Sequence, residues 1–320
     1  MKRCFLAVLG LAAGQVEAVL SVAPGSHAWS LVHDRVKRTF RYHVPAGYDT
    51  SRQWPLLFVL HGGGGTPDAV AKLTGFDRLA DSAGFIVAYP AAVNRHWNDG
   101  RGVLRFKSQR ENVDDVGFIA RLIDRFAKEA RADPGRVYVA GVSNGGMMCH
   151  RLGCELSGKV AAIASVAAAV PENLEAESKS NIRCRIAEGR HDGAKPVSVL
   201  MINGTADPLV PWQGGGVGLV AKRGYVLSAP QSVRFWVERD GCVAEPDTSL
   251  LPHVDVNDST RVRKEAYGRG GQGSEVVLYT VEGGGHTWPG GAARPARFGQ
   301  CCRDMNATEV IWEFFRRHSR

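Results

Sequence analysis

The sequence lacks long apolar runs and concentrated charge. Its N-terminal apolar stretch, residues 4–13, falls far short of the roughly 20 residues that a helix needs to cross a bilayer. The 40 basic residues exceed the 32 acidic ones by eight, but no run of five or more basic residues occurs. This scatter disfavours nucleic acid as a partner. With 44% apolar and 22% charged residues, the chain has the composition of an ordinary globular protein.

Cysteine is sparse and lacks the spacing of a metal site. No C-x-x-C pair and no Cys/His cluster with zinc spacing occurs among the seven cysteines, so we expect no metal. Six cysteines follow the N-terminal segment, and an even number in an exported protein suggests disulfides. We predict a bond between Cys154 and Cys184. Cys242 is expected to pair with Cys301 or Cys302.

The N-terminus has the pattern of a secretory signal peptide. Lys2 and Arg3 precede the apolar run, and small-residue cleavage motifs follow at 16–18 and 21–23. We therefore expect residues 1–23 to be a signal peptide and residues 24–320 to form one domain. The mature protein should be secreted or periplasmic, with no membrane association after the signal is removed. Its oligomeric state stays open.

Strand-length apolar runs alternate with helical patterns over most of the chain. Strands are predicted at 36–44, 55–60, 85–89, 136–142, 160–167, 197–202 and 275–281, and helices at 67–82, 113–130, 144–156, 229–240 and 307–318. Several of the strands are continuously apolar, as parallel strands buried on both faces are. The pattern predicts an α/β fold with a mostly parallel central sheet. Residues 213–227 and 246–273 are expected to be surface excursions.

A G-V-S-N-G motif at 141–145 follows one predicted strand and opens a predicted helix. This is the context of a nucleophile elbow, in which a sharp turn pushes the central serine into a cleft. The glycines at 141 and 145 remove side chains that would collide there. A plain glycine-rich turn is the alternative. The placement between strand and helix favours Ser143 as a nucleophile.

A second glycine-rich motif, H-G-G-G-G at 61–65, follows the predicted strand at 55–60. Glycines let backbone N–H groups approach a developing oxyanion closely. A phosphate-binding loop would require Gly-Lys-Ser/Thr, which is absent. We expect the amide of Gly63 or Gly64, together with that of Asn144, to form an oxyanion hole. His61 is expected to be structural.

Two further loops follow late strands and carry an acid and a histidine. Asp207 lies in N-G-T-A-D after the strand at 197–202, and His286 lies in G-G-G-H-T-W after the strand at 275–281. Catalytic groups of parallel sheets collect at these carboxyl ends. The order Ser143, Asp207, His286 is that of a hydrolase triad, and a histidine base predicts falling turnover below a pH of roughly 6–7.

Three tryptophans flank these loops. We expect Trp97, Trp212 and Trp288 to line a substrate pocket, where they could stack on an aromatic or sugar group; plain wall positions are the alternative.

Together the motifs resemble those of secreted esterases grouped with poly(3-hydroxybutyrate) depolymerases and feruloyl esterases. The resemblance is carried by L-H-G-G-G-G-T at 60–66, W-N-D-G-R at 97–101, D-V-G-F at 115–118, G-V-S-N-G-G-M at 141–147, G-T-A-D-P at 204–208 and G-G-G-H-T-W-P-G at 283–290. It implies an α/β-hydrolase fold, a serine esterase without cofactor, and Ser143, Asp207 and His286 as the triad. The substrate would be a small or oligomeric ester.

Other interpretations stay open beside this resemblance. A feruloyl or acetyl esterase acting on plant polysaccharide is the main alternative. A catalytically dead hydrolase fold used for binding, and a redox role for the vicinal pair Cys301-Cys302, are more remote. Depolymerases of solid polymer often carry a binding domain after the catalytic one, whereas this sequence stops at Arg320. We therefore expect soluble short esters to be hydrolysed better than crystalline polyester.

Overall fold

The structure is a computed structural model that describes residues 19–175, 194–219, 223–292 and 295–320. The expected signal segment up to residue 18, and Cys184, lie outside the described residues. Of residues 174 and 175, only the backbone is described.

A ten-stranded mixed sheet forms the centre of the molecule, in the order β1-β2-β4-β3-β5-β6-β7-β12-β11-β10. Strands β3 to β7 and β12 pair in parallel, whereas the strands at both edges are antiparallel. Its strands are β1 Gly25–His33, β2 Val36–Val44, β3 Trp54–Leu60, β4 Ile86–Pro90, β5 Ala132–Val142, β6 Ala162–Val166, β7 Ser198–Gly204, β10 Asp247–Leu250, β11 Arg261–Tyr267 and β12 Val276–Glu282. A separate two-stranded ribbon pairs β8 Gly215–Gly216 with β9 Tyr225–Val226.

Helices lie between the strands along the chain and after the last of them. They are α1 Pro67–Thr74, α2 Phe76–Ala83, α3 Lys107–Arg110, α4 Asp115–Glu129, α5 Asn144–Glu155, α6 Glu172–Glu175, α7 Ala229–Asp240 and α8 Ala307–Phe315. Two large apolar clusters result because the central strands are buried along their whole length. One contains Phe126 of α4 and Trp236 of α7, and the other contains Phe76 of α2 and Trp312 of α8. This is the α/β-hydrolase architecture that the sequence predicts.

Local signals set several helix ends. Thr66 caps α1 by accepting a hydrogen bond from the Ala69 amide, and Ser228 forms a capping box with Gln231 at the start of α7. The predicted helix at 67–82 is two helices in the structure. The break lies at Gly75, whose φ of 66° is left-handed and ends α1.

Both predicted surface excursions require correction. Residues 246–273 contain β10 and β11, which extend the sheet beyond β12. Residues 213–227 contain β8 and β9, and Val217 and Leu219 of that stretch line the cavity that contains Ser143.

The expected pairing of Cys242 with Cys301 or Cys302 is wrong, because all three are free thiols. Cys242 lies beside the carbonyl of Ser274, just before β12, whereas Cys301 contacts the carbonyl of Trp288, beyond the other end of that strand. Seven residues of strand span roughly 23 Å, too far for a disulfide. Cys154 is disulfide-bonded. Its pairing with Cys184 stays a prediction because Cys184 lies outside the described residues.

Candidate active site

Ser143 occupies a strained turn between β5 and α5. Its φ of 56° and ψ of −122° are unusual for a residue with a side chain. A Cβ on Gly141 would collide with the carbonyl of Gly145, and a Cβ on Gly145 would collide with the carbonyl of Leu60. Both glycines therefore permit backbone contacts that no other residue would allow. The turn presents Ser143 to a cavity at the carboxyl edge of the sheet.

Asp207 and His286 meet at the same edge. His286 Nδ1 lies 2.8 Å from Asp207 Oδ2, and both side chains are almost fully buried. The other carboxylate oxygen, Oδ1, accepts the amides of Leu209 and Val210 at 2.7 and 2.9 Å. Asp207 is thus held by its own loop while it orients the imidazole of His286. His286 and Ser143 line one cavity.

The loop that carries His286 is fixed by backbone contacts. The amide of Ala206 donates to the carbonyl of Gly284 at 2.9 Å, and a side chain at Gly204 would collide with that carbonyl. The His286 amide donates to the carbonyl of Phe298 at 2.6 Å. The acid and histidine loops are therefore packed backbone to backbone, which sets the distance between their side chains.

The structure distinguishes between Gly63 and Gly64, the two glycine amides that were alternatives for the oxyanion hole. The Gly64 amide donates to the carbonyl of Arg95 at 2.8 Å, so it is already engaged and cannot serve an oxyanion. Within the described part of the chain, the amides of Gly63 and Asn144 donate to no protein acceptor. Gly63 lies close to Asn144, since a Cβ on Gly63 would be 3.7 Å from that of Asn144. Gly63 and Asn144 are the donor pair that the geometry offers.

His61 braces this loop, as expected. Its Nε2 accepts the amide of Ala92 at 3.1 Å, so Nδ1 carries the proton and donates to the carbonyl of Gly62 at 2.8 Å. Burial lowers the pKa of His61 to about 4. His61 is therefore neutral near neutral pH and fixes the glycine loop from behind.

Asp99 links the W-N-D-G-R loop to the nucleophile turn. Its Oδ2 accepts Asn144 Nδ2 at 2.6 Å and pairs with Arg101 at 2.7 Å, and its Oδ1 accepts Gln109 Nε2 at 3.0 Å. The Asn144 side chain also binds the backbone of Trp97. Asp99 is fully buried. These contacts fix the side chain of Asn144, the residue after Ser143. The geometry of the turn sets the direction of the Asn144 backbone N–H.

The cavity around Ser143 has a volume of about 810 Å³. None of the three tryptophans predicted for the pocket lines it. Trp97 and Trp288 are buried in the protein, where their indole N–H groups donate to the carbonyl of His61 and the hydroxyl of Thr308. Trp212 packs against the large apolar cluster of α4 and α7. All three side chains therefore pack within the protein and do not form the cavity wall.

The cavity is lined instead by residues that sequence reasoning did not assign to it. They are apolar or aromatic (Val70, Leu73, Phe106, Met147, Leu209, Val217, Leu219, Phe298) or basic (His96, Arg101, Arg105, Arg223, Arg297). For part of this set, the position in the sequence could have indicated a place in the cavity. His96 and the residues up to Phe106 follow β4, whose carboxyl end lies at the same sheet edge as Ser143.

The described residues contain neither a cluster of metal ligands nor a membrane-spanning helix. No group of three or more His, Cys, Asp or Glu side chains there could hold a metal ion. Within the same ranges, no helix is long and apolar enough to cross a membrane.

The model of the family "Esterase PHB depolymerase" matches residues 39–207, which hold the glycine loop, the nucleophile turn and Asp207. This match spans more than half of the chain. The chain belongs to the esterase PHB depolymerase family. As a member of that family it is a carboxylic ester hydrolase of the serine esterase class.

Curated relatives of this esterase agree with the assignment. NocK of Nocardia uniformis subsp. tsuyamanensis, named as an esterase, is 31% identical over 288 residues, covering 87% of this chain and 78% of NocK. Feruloyl esterase B of Piromyces equi is 26% identical over 247 residues, covering 76% of this chain. The aligned part is only 41% of that protein, so this chain spans less than half of the length of feruloyl esterase B.

Solved structures show the same fold. An acetyl xylan esterase from Aspergillus awamori superposes with a TM-score of 0.52 and 16% identity, covering 82% of this chain and 94% of that one. A thermostable esterase gives a TM-score of 0.54 and 14% identity, with coverage of 92% and 63%. At these identities the likeness concerns the fold alone.

Proposed function

We propose that this esterase cleaves its substrate through an acyl-enzyme formed on Ser143, with His286 as the base and Asp207 as the partner of that base. The observation that carries the proposal is the buried His286–Asp207 pair, 2.8 Å apart, in the cavity that also contains the strained Ser143. A polar pair of this kind in one cavity with a half-buried serine at a strand-to-helix turn is the arrangement that activates a hydroxyl.

The proposed first step transfers the acyl group to the enzyme. Ser143 Oγ attacks the ester carbonyl while His286 Nε2 takes the hydroxyl proton, and Asp207 stabilises the resulting imidazolium through Nδ1. The amides of Gly63 and Asn144 receive the negative charge on the carbonyl oxygen. The ester C–O bond then breaks, and His286 returns the proton to the leaving alcohol.

The second step repeats this chemistry with water. His286 removes a proton from the water as it attacks the acyl-enzyme, the bond to Ser143 Oγ breaks, and the proton returns to Ser143. A carboxylic acid leaves, and the enzyme is restored without a cofactor.

For the substrate we propose a short ester or oligomer of hydroxyalkanoate type. The support is the family description, which refers to polyhydroxybutyrate depolymerases, and a cavity with mostly apolar walls. Feruloyl and acetyl esters of polysaccharides are the alternative, because these groups appear in the names of relatives and fold neighbours. Assay of p-nitrophenyl butyrate, methyl ferulate and a hydroxybutyrate oligomer side by side separates the two.

The proposed mechanism is tested by Ser143→Ala, with the exposed Ser82→Ala on α2 as the matched control. Removal of the attacking hydroxyl should lower kcat on p-nitrophenyl butyrate by a factor on the order of 10⁴–10⁶ with little change in stability. The control should behave as wild type. A Ser143→Ala protein that keeps its turnover would exclude this mechanism.

We also propose that the protein is exported and that its signal is removed after residue 18, not after residue 23. Leu20 is 4% exposed and packs in the core, and its amide donates to Glu129 at 2.8 Å. The carbonyl of Ser21 accepts the hydroxyl of Tyr42 at 2.9 Å. Residues 20 and 21 thus belong to the folded catalytic domain.

N-terminal sequencing of the exported protein should begin at Val19. A mature chain beginning at Pro24 would contradict the choice of site, and retention of the whole leader would contradict export.

A further inference from the structure

The charged side chains that line the Ser143 cavity are all basic. Arg101, Arg105, Arg223 and Arg297 line it, and among the described residues no aspartate or glutamate does. The residues that line the wall therefore carry positive charge and no negative charge. Such a one-signed cleft raises the local concentration of anions.

One of these arginines is neutralised. Arg101 is buried and is held by the buried carboxylate of Asp99 through Nε and Nη2, at 2.9 and 2.7 Å. Its charge is compensated inside the protein. Arg101 therefore belongs to the scaffold of the loop.

The other three arginines are exposed, and within the described ranges none of them forms an ion pair. We call Arg105, Arg223 and Arg297 the arginine rim. The guanidinium of Arg105 lies 5.3 Å from the centre of the Phe106 ring, and that of Arg297 lies 5.0 Å from the centre of the Phe298 ring. Contact with an aromatic face positions a guanidinium while leaving its N–H groups able to bind a ligand.

Arg105 and Arg223 lie toward the oxyanion side of the cavity. Phe106 stacks on His96 with ring centres 3.9 Å apart, and His96 lies against Gly63, where a Cβ would be 3.0 Å from Nε2. Burial lowers the pKa of His96, and the positive charges of Arg223 and Arg101 lower it further. Near neutral pH, His96 is therefore uncharged, and Arg105 and Arg223 supply the positive charge on this side.

Arg297 precedes Phe298, which lies beside His286. The ring of its neighbour Phe298 stacks with that of His286 at 6.3 Å, and the Phe298 carbonyl accepts the His286 amide. Because His286 returns its proton to the leaving alcohol, this side faces the leaving group.

We propose that the arginine rim binds a carboxylate carried by the ester substrate, so that the enzyme prefers esters with a free acid group to neutral esters of the same size. The inference rests on the proposed function and narrows its substrate class. Arginine suits this role because its planar fork binds a carboxylate through two parallel hydrogen bonds. A short hydroxy-acid oligomer provides such a group, since one of its ends is a free acid.

The test uses pairs of esters that differ only in charge. The first pair is the mono-p-nitrophenyl ester of adipic acid and its methyl-capped form, which place the carboxylate or its neutral ester on the acyl side. The second pair is the linear dimer of 3-hydroxybutyrate and the methyl ester of that dimer, which vary the charge of the leaving alcohol. Uncatalysed hydrolysis is subtracted.

At low salt, kcat/KM should be higher for the acid than for the capped ester by at least about tenfold in one pair or both. The preference should shrink in about 1 M NaCl, where the screening length falls to roughly 3 Å. The triple variant Arg105→Gln, Arg223→Gln, Arg297→Gln should lose most of the preference. Arg78→Gln, an exposed arginine on α2 outside the cavity, should retain it.

The salt experiment uses the wild-type protein and needs no variant. If the triple variant fails to fold, the three single substitutions take its place. Equal kcat/KM values for acid and capped ester in both pairs would overturn the inference while leaving an active esterase. So would a preference that the arginine variants keep in full. Failure of the proposed function would be recognised by a different result, namely turnover that survives Ser143→Ala.

Discussion

Asp99 shows how one buried carboxylate positions a site that it does not line. It binds Asn144, the residue after Ser143, and it pairs with Arg101 at the cavity wall. The sequence assigned Asp99 no role of its own, although the residue lies in the W-N-D-G-R motif. Its position in the structure explains why an acid is needed in this loop: five donors converge on it from Asn144, Arg101 and Gln109.

Asp99→Asn should therefore impair both turnover and stability. An asparagine has one acceptor oxygen and adds an N–H₂ group that faces donors, and it leaves the buried Arg101 without a counter-ion. Breaking a buried pair in this way costs about 3–5 kcal/mol of unfolding free energy. Loss of the contact to the Asn144 side chain should displace the Asn144 backbone N–H. This should lower kcat on a neutral ester by about 10² while KM changes less.

Urea unfolding and steady-state kinetics on p-nitrophenyl butyrate measure the two effects. Asp68→Asn is the control, because the Asp68 side chain is 86% exposed and lies 3.7 Å from its nearest cation. If Asp99→Asn were to unfold and turn over like wild type, the positioning role would be wrong.

The residues of the site differ in how far the sequence could predict them. Ser143, Asp207 and His286 follow predicted strands, so their common sheet edge follows from the topology. The tryptophans lie on the same loops, but whether an indole faces a cavity depends on whether its N–H has a partner inside. Trp97 and Trp288 both have one. The partners are remote in sequence, which is why the sequence could not show this.

At the level of elements, the strands buried on both faces were predictable, and so was the half-exposed β2, whereas β1, β10 and β11 were not. β3, β4, β6 and β7 are buried at every position, and apolar residues dominate their sequences. β1 and β11 lie toward the two edges and carry charged or polar residues, as in the run R-V-R-K-E-A-Y of β11. Their strand conformation is imposed by pairing with β2 and β12.

The arginine rim illustrates a second limit at this scale. Its members come from the loop after β4, the segment between β8 and β9, and the segment after β12. More than 190 residues separate the first from the last. No local pattern connects them, and only the shared sheet edge brings them to one cavity.

For the whole molecule, buried histidines make stability depend on pH. Burial lowers the pKa of His61 to about 4 and that of His150 to about 3. In the unfolded chain a histidine has a pKa near about 6.5. Between these values the unfolded state binds the proton and the folded state does not, so stability is full above about pH 6.5 and falls as the pH is lowered.

Each of these histidines should contribute a slope of about 1.4 kcal/mol per pH unit to the free energy of unfolding in that range. Urea unfolding at several values between about pH 7 and pH 4 measures the total slope. His150→Asn keeps an acceptor for the Trp236 indole, which donates to His150 Nδ1 at 2.9 Å, and removes the titrating ring. The variant should show a shallower slope than wild type. An unchanged slope would mean that His150 does not titrate in this way.

The central claim, that Ser143 is the nucleophile activated by His286 and Asp207, is tested most directly by covalent labelling. The wild-type protein is treated with an organophosphonate that carries a p-nitrophenyl leaving group, and the modified peptide is identified by mass spectrometry. The account predicts one label per chain on Ser143, release of one equivalent of p-nitrophenol, and parallel loss of esterase activity. Labelling in His286→Ala should be slower by a factor of roughly 10³ or more. A label on another residue, or full activity in a protein labelled at Ser143, would contradict it.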